Sequence, residues 1–255
     1  AYRFWMKALP LLAKGNYYDK AVFWENQLLA KCSELIRDKG IRNVIVTGAP
    51  FRLMAQAAKL KATFPQLHLV ADLRDPWTWG HVYGHGGMGA EREAVEKQLE
   101  ACVMRDFDTI ISPAPAIIDH LRGTYGGDPK RYVLIPHAID PEELGTPLPP
   151  PSDSRFRMVY AGSLYGAKEA DTYFEALLKA LQRTRDHYPE ALAQCTLDLY
   201  ITGHDTARYA QQVHAAGLSE VVRFHAPQPA KELFPILAQA DLVPIFIPSG
   251  NKDFL

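Results

Sequence analysis

Charge of one sign is in short supply in this chain. Its 255 residues carry 28 Lys and Arg against 29 Asp and Glu, a formal net charge of −1. The cations are scattered and form no run or stripe. That argues against a nucleic-acid binder, which must neutralise many phosphates. Long apolar runs are missing as well. None approaches the ~20 residues of a membrane span, and the opening AYRFWMKALPLLAKGNYY is too broken by Lys, Pro and Gly to read as a signal peptide. Cysteine is sparse: Cys32, Cys102 and Cys195 lie far apart, make no CxxC and no zinc spacing, and read as small buried hydrophobes in a reducing compartment. The GxSxG elbow, the Walker loop and GxGxxG are all absent, and no close carboxylate pair stands out as acid and base. No metal site is therefore predicted, and no catalytic residue is assigned.

What is present is a rhythm. With 47% hydrophobic residues the chain can build one large core or two of moderate size. Residues 18 to 38 carry Val22, Phe23, Leu28, Leu29, Cys32, Leu35 and Ile36 at helical spacing, with Gly40 as the stop. Short apolar runs, RNVIVTG, LHLVADL, FDTIIS and RYVLIPHAID, then alternate with helical segments. The longest of these, AEREAVEKQLEACVMRD, has acids in its first turn, where the helix dipole favours them. The strand runs are continuous rather than alternating, which predicts parallel sheet covered on both faces. Residues 141–154, PEELGTPLPPPSDS, hold five prolines and read as a semi-rigid linker. After it the rhythm restarts, with FRMVYAG, CTLDLYITG, VVRFHA and DLVPIFIP as strands between helices.

The expected fold class is thus α/β: two Rossmann-like, doubly wound parallel-sheet domains. The expected boundaries are 1–140 for the first domain, 141–155 for the linker and 156–255 for the second. Both ends read as cut, because the chain opens on a helix without a preceding strand and stops just after one. In such sheets ligands lie outside the carboxyl ends of the strands, and two facing domains make a cleft.

Several constellations fall at such strand ends. The run ending in LHLVADL gives way to Asp72, Arg74, Asp75, Trp77 and Trp79. This cluster reads either as an ion-pair network that fixes the loop, or as a polar contact by Arg74 or Asp75 with a tryptophan face offered to a sugar or ring; the two are compatible, since a site loop must itself be rigid. His81 and His85 follow with Gly84, Gly86 and Gly87, so a helical metal pair is disfavoured. The segment reads as a loop closing over a ligand or as a plain exposed loop. YAGSLYGAK is a strand, a glycine and a helix start, with Lys168 in reach of any phosphate held on the amides. YITGHD repeats the strand–glycine arrangement at Gly203.

In their order VIVTGAPF, ADLRDPW, VLIPHAID, VYAGSLYG, LYITG and VVRFHAPQPAKELFPILAQADLVPI, the segments from Val44 to Phe246 resemble bacterial glycosyltransferases of family 4 (group 1), in the branch with an Asp-Leu-Arg-Asp-Pro-Trp segment. That family has two Rossmann-like domains in the GT-B arrangement. The resemblance implies transfer of a sugar from a nucleotide diphospho-sugar to a glycan or lipid-linked acceptor, usually with retention and without metal or other cofactor. It implies a donor site in the second domain at Gly162, Ser163, Lys168, Gly203, Phe224, His225 and Ala226. It implies an acceptor side in the first domain at Gly48, Ala49, Pro50, Asp72, Arg74, Asp75 and Trp77. Polysaccharide biosynthesis in the cytoplasm follows from the family, and a lipid-linked acceptor would bring the protein to the inner membrane face, although no basic amphipathic helix demands it. The chain departs from the pattern in three places. The family's Glu-x7-Glu pair would fall beyond Leu255, the amino-terminal glycine-rich loop is absent, and His137-Ala138 stands where Asn-Gly is usual. A 2-epimerase-like isomerase on nucleotide sugars, and a non-catalytic glycan-binding protein, are the alternative readings of the same architecture.

Overall fold

The structure is a computed structural model that describes residues 14–16, 19–79, 88–149, 151–164, 167–203 and 206–246. It divides into two compact units, with the division between His137 and Ala138. The His81–His85 segment lies outside the described residues.

In the first unit, β1 (Asn43–Gly48), β2 (His68–Leu73), β3 (Thr109–Ser112) and β4 (Tyr132–Leu134) form a parallel sheet in sequential order. Helix α1 (Glu25–Lys39) precedes it and ends at Gly40, whose φ of 64° is left-handed, as the stop signal predicts. The crossovers carry α2 (Arg52–Ala58), α3 (Ala90–Asp106) and α4 (Pro115–Tyr125). Four strands laid down in one direction by right-handed crossovers put all three helices on one face. The core follows that geometry: Leu69, Ala71, Leu73, Ile110 and Tyr132 are buried with Met54, Val103, Met104, Ile117 and Leu121. The opposite face bears Ile45, Val70, Ile111 and Val133, and Ile45 is 65% exposed. Among the described residues the crossover helices thus lie on one face of this sheet; continuous β-branched runs mark a parallel sheet, and strand order decides where its helices lie.

The second unit begins with the proline-rich run. Pro141–Glu143 forms a 3-10 turn, and a Cβ on Gly145 would fall 2.1 Å from the Lys231 carbonyl oxygen. Gln239 Nε2 donates to the Pro149 carbonyl. Strands β5 (Phe156–Gly162), β6 (Cys195–Ile201) and β7 (Val222–Phe224) are parallel and sequential. Helix α5 (Ala167–His187), the short α6 (Pro189–Ala193) and α7 (Ala207–Ala215) connect them, and α8 (Ala230–Leu237) follows β7. Phe174, Leu178 and Leu181 of α5 pack with Tyr209 and Val213 of α7 on Leu197, Leu199 and Ile201 of β6. Their i, i+4 and i+7 spacing on α5 makes this the core stripe of the helix. DLVPIFIP, expected as a strand, shows a single bridge among its described residues: Leu242 pairs with Met158, and the Val159 amide donates to the Leu242 carbonyl at 3.0 Å. That bridge matters for topology. After stepping from β5 to β7 the chain returns to the far side of β5, so α8 belongs to the opposite face, and the strand order reverses at β5.

Candidate functional site

The reversal makes the carboxyl end of β5 a topological switch point, where open α/β sheets bind ligands. Three strand ends meet there. Gly162 closes β5 with φ 151°, and Gly203 follows β6 with φ 78°. A Cβ on Gly203 would lie 3.5 Å from Ser163 Oγ, and the Thr202 amide donates to the Gly162 carbonyl at 3.0 Å. Ser163 is exposed, while its carbonyl accepts from Tyr160 OH at 3.1 Å. Leu164 is buried beneath the turn. The backbone of Lys168 lies in the first turn of α5; its side chain is outside the described residues. The amides of that first turn have no partner within the helix. Phe224, at the end of β7, packs on Phe174 with ring centroids 6.1 Å apart. His225 continues the ladder through its amide, which donates to the Leu199 carbonyl at 2.9 Å, and Ala226 beyond it is exposed. Gly162, Ser163, Gly203 and the 224–226 segment thus share one edge of the sheet.

A cation also stands near these helix starts. Arg208, in the first turn of α7, pairs with Asp171 of α5 and lies 4.9 Å from the Tyr209 ring centroid. Its hydrogen bond to the Tyr209 hydroxyl and the charge of Asp171 hold its pKa above the ordinary value.

The first unit presents a different picture. Gly48 is buried where a Cβ would fall 2.5 Å from Phe51 Cδ1, so the close approach requires glycine. Pro50 is half-buried. Phe51 stacks on Trp77 at 5.3 Å and 8°. Trp77, expected to line a cleft, is only 1% exposed. It underpins the loop and cannot offer its face to a ligand. Asp72 is half-buried and accepts from Thr47 Oγ1 at 2.9 Å; Arg74 is exposed and Asp75 half-buried. Trp79, also half-buried, stacks on His120 at 4.3 Å and 4°, above a small cavity lined by Leu73, Pro76, Glu100 and Ile117.

What fixes this loop is a pair of glutamates that the sequence reading passes over. Glu96 and Glu100, one turn apart on α3, are 0% and 1% exposed. Glu96 accepts from Trp77 Nε1 at 2.9 Å, the Asn16 amide at 2.8 Å and Arg52 Nη2 at 2.8 Å. Glu100 accepts from Tyr125 OH at 2.6 Å, the Thr78 amide at 3.3 Å and the Thr78 hydroxyl. Burial, and then Glu100, push the Tyr125 hydroxyl far above its usual range. Burial lowers the pKa of His120, against the pull of Glu100. Burial also raises the Asp19 carboxyl, against the amides of Arg52 and Ala21 that donate to it. The glutamates occupy the inward stripe of α3 and leave that helix almost without hydrophobic asymmetry. Their i, i+4 spacing was the one available signal.

Among the described residues, no group of three or more His, Cys, Asp or Glu is placed to hold a metal ion, and no helix is long and apolar enough to cross a membrane.

Together these features define a class: an α/β chain of two parallel-sheet units of the kind found in GT-B proteins. Solved structures agree on the fold. Sucrose-phosphate synthase of Thermosynechococcus elongatus matches with a TM-score of 0.58 and 15% identity, over 87% of this chain and 55% of its own. The HepE protein of Anabaena, solved in complex with UDP, matches at 0.57 and 17%, over 85% and 56%. A protein described as a UDP-N-acetylglucosamine 2-epimerase of Listeria monocytogenes matches at 0.51 and 16%, over 86% and 56%. The chain spans a little more than half the length of each. At these identities the likeness is one of fold. No family model matches the chain, and no curated protein does.

Proposed function

We propose that the chain belongs to a glycosyltransferase that uses a nucleotide diphospho-sugar, and that its second unit holds the donor. The observation that carries this reading is the convergence of Gly162, Ser163, Gly203 and the Phe224–Ala226 segment at the switch point of the β5–β7 sheet. The UDP bound to the HepE protein, a neighbour in fold, supports it. The diphosphate lies against the amides that open α5, with Lys168 as the neutralising cation. Transfer breaks the bond from the anomeric carbon to the diphosphate oxygen and makes one to an acceptor hydroxyl, whose proton passes to the departing diphosphate or to solvent. The chemistry needs charge stabilisation on the leaving group more than it needs a nucleophile, and preorganised donors supply a few kcal/mol each. The first unit, through Gly48, Pro50 and the Asp72–Asp75 loop, presents a glycan or lipid-linked acceptor. The setting is the cytoplasm, at the inner membrane face for a lipid-linked acceptor, within polysaccharide biosynthesis.

The epimerase among the neighbours in fold keeps a nucleotide-sugar isomerase as the second reading. It would need free acid and base carboxylates beside the sugar. Among the described residues, two carboxylates of this unit, Asp171 and Asp198, are engaged by Arg208 and His225.

Calorimetric titration with UDP, GDP and ADP tests the donor site. At least one nucleoside diphosphate is expected to bind, and Lys168→Ala is expected to weaken it by roughly tenfold, the scale of one hydrogen bond to a charged group. Absence of binding for all three up to millimolar concentration would overturn the reading.

A further inference from the structure

His225 does more than continue a strand. Its Nε2 lies 2.6 Å from Asp198 Oδ1. A carboxylate only accepts, so Nε2 carries the proton and donates it. The imidazole also lies flat on Tyr200, with centroids 4.7 Å apart and planes within 14°. Asp198 and Tyr200 are two residues apart on β6 and therefore share a face, and the His225 amide is bonded to the Leu199 carbonyl between them. The ring is held by three independent restraints. Its remaining nitrogen, Nδ1, has no partner among the described residues, and the side chain is 36% exposed. A ring fixed so firmly, with one nitrogen left open beside Phe224 and Ala226 at the ligand edge, is built as a recognition group.

We infer that His225 Nδ1 accepts a hydrogen bond from the nucleoside of the bound nucleotide, and that Asp198 is the positioning residue that fixes the tautomer able to do so. The inference rests on the donor-site reading above and adds to it the residue that reads the nucleoside rather than the diphosphate. Two nucleoside groups share the required chemistry: a ribose hydroxyl and a base N–H.

The test is calorimetric titration of the chain and of His225→Phe and Asp198→Ala with UDP, GDP and inorganic pyrophosphate. The phenyl ring preserves the stack on Tyr200 while removing both nitrogens, and a melting curve for each variant checks that the fold persists. Both variants are expected to lose at least fivefold in affinity for the nucleoside diphosphate that binds, with pyrophosphate affinity unchanged. A nucleotide lacking both the 2′- and 3′-hydroxyls separates the sources. If ribose is the donor, the wild-type chain loses affinity for it and His225→Phe does not distinguish the two; if the base is the donor, the wild-type chain binds both alike. Wild-type affinity for the nucleoside diphosphate in His225→Phe, or an equal loss for pyrophosphate, would overturn the inference while leaving the donor site standing. A wild-type chain that binds no nucleoside diphosphate would remove both.

Discussion

Glu96→Ala is the sharpest perturbation available in the first unit. The carboxylate is fully buried and satisfies three donors on three separate segments: Asn16, Arg52 and Trp77. Replacing it by a methyl group leaves the Arg52 guanidinium, whose side chain is 15% exposed, without its anion. Removal of one partner from a buried ion pair costs about 3–5 kcal/mol, because the surviving charge stays desolvated. The unpaired indole N–H and amide fall within that figure rather than adding to it, since the three bonds form one network. Thermal unfolding followed by circular dichroism should therefore show a fall on the order of 10–20 °C in the midpoint assigned to the first unit. A double-mutant cycle sharpens the argument. Trp77→Phe keeps the stack on Phe51 but removes the donor, so its coupling to Glu96→Gln should be about 1 kcal/mol, the worth of one hydrogen bond. A loss below 1 kcal/mol for Glu96→Ala would show that the carboxylate is not what fixes the Trp77 loop, and the reasoning would fail.

Two further outcomes are expected. Gly145→Ala should destabilise the second unit and leave the first unchanged, because φ is +71° and the new Cβ would meet the Lys231 carbonyl at 2.1 Å; unit-resolved melting or limited proteolysis checks it, and an unaltered second transition would refute the packing of the proline-rich run. Burial works to raise the Asp108 carboxyl, but the Lys61 ammonium at 2.6 Å and the Leu69 amide at 2.7 Å outweigh it and hold the pKa below its ordinary value of 3.8. Its contribution to stability is thus complete above pH 3.8 and lost as pH falls below that value through the folded pKa, so Asp108→Asn should flatten the pH dependence of the unfolding midpoint below pH 3.8; an unchanged slope counts against the pair.

Strands and helices were legible in the sequence because their signals are local. FRMVYAG, CTLDLYITG and AEREAVEKQLEACVMRD carry their own start, period and stop, and the structure places β5, β6 and α3 over them. What escaped was whatever depends on order in space. DLVPIFIP is as apolar as any strand, but only Leu242 finds a partner in β5 among the described residues. Whether both faces of a sheet are covered depends on the direction of successive crossovers, and hydropathy does not encode that direction. PEELGTPLPPPSDS reads as linker because proline forbids helix and sheet, yet composition is silent on whether such a run docks. Gly145, pressed on α8, is the residue that shows it.

The candidate site divides along the same line. Glycines at strand ends are visible to the eye because a turn that demands φ > 0 demands glycine, and Gly162 and Gly203 both have positive φ. Side chains whose role depends on a distant partner were not. Asp198 lies in the middle of a strand, where an acidic residue looks like an error; it makes sense only once β7 brings His225 to 2.6 Å. Glu96 looks like one more surface glutamate on a charged helix until Asn16, Arg52 and Trp77 close over it. Glu96 is fully buried and Asp198 half-buried; each is tolerated there because donors from other segments meet it, and a fully buried acid without them would cost several kcal/mol. An acidic residue at a position that the period assigns to the interior is therefore a pointer to partners elsewhere in the chain. In this protein that pointer leads to Trp77 in one unit and to His225 in the other, the first holding a loop from beneath and the second standing at the edge where the ligand is expected.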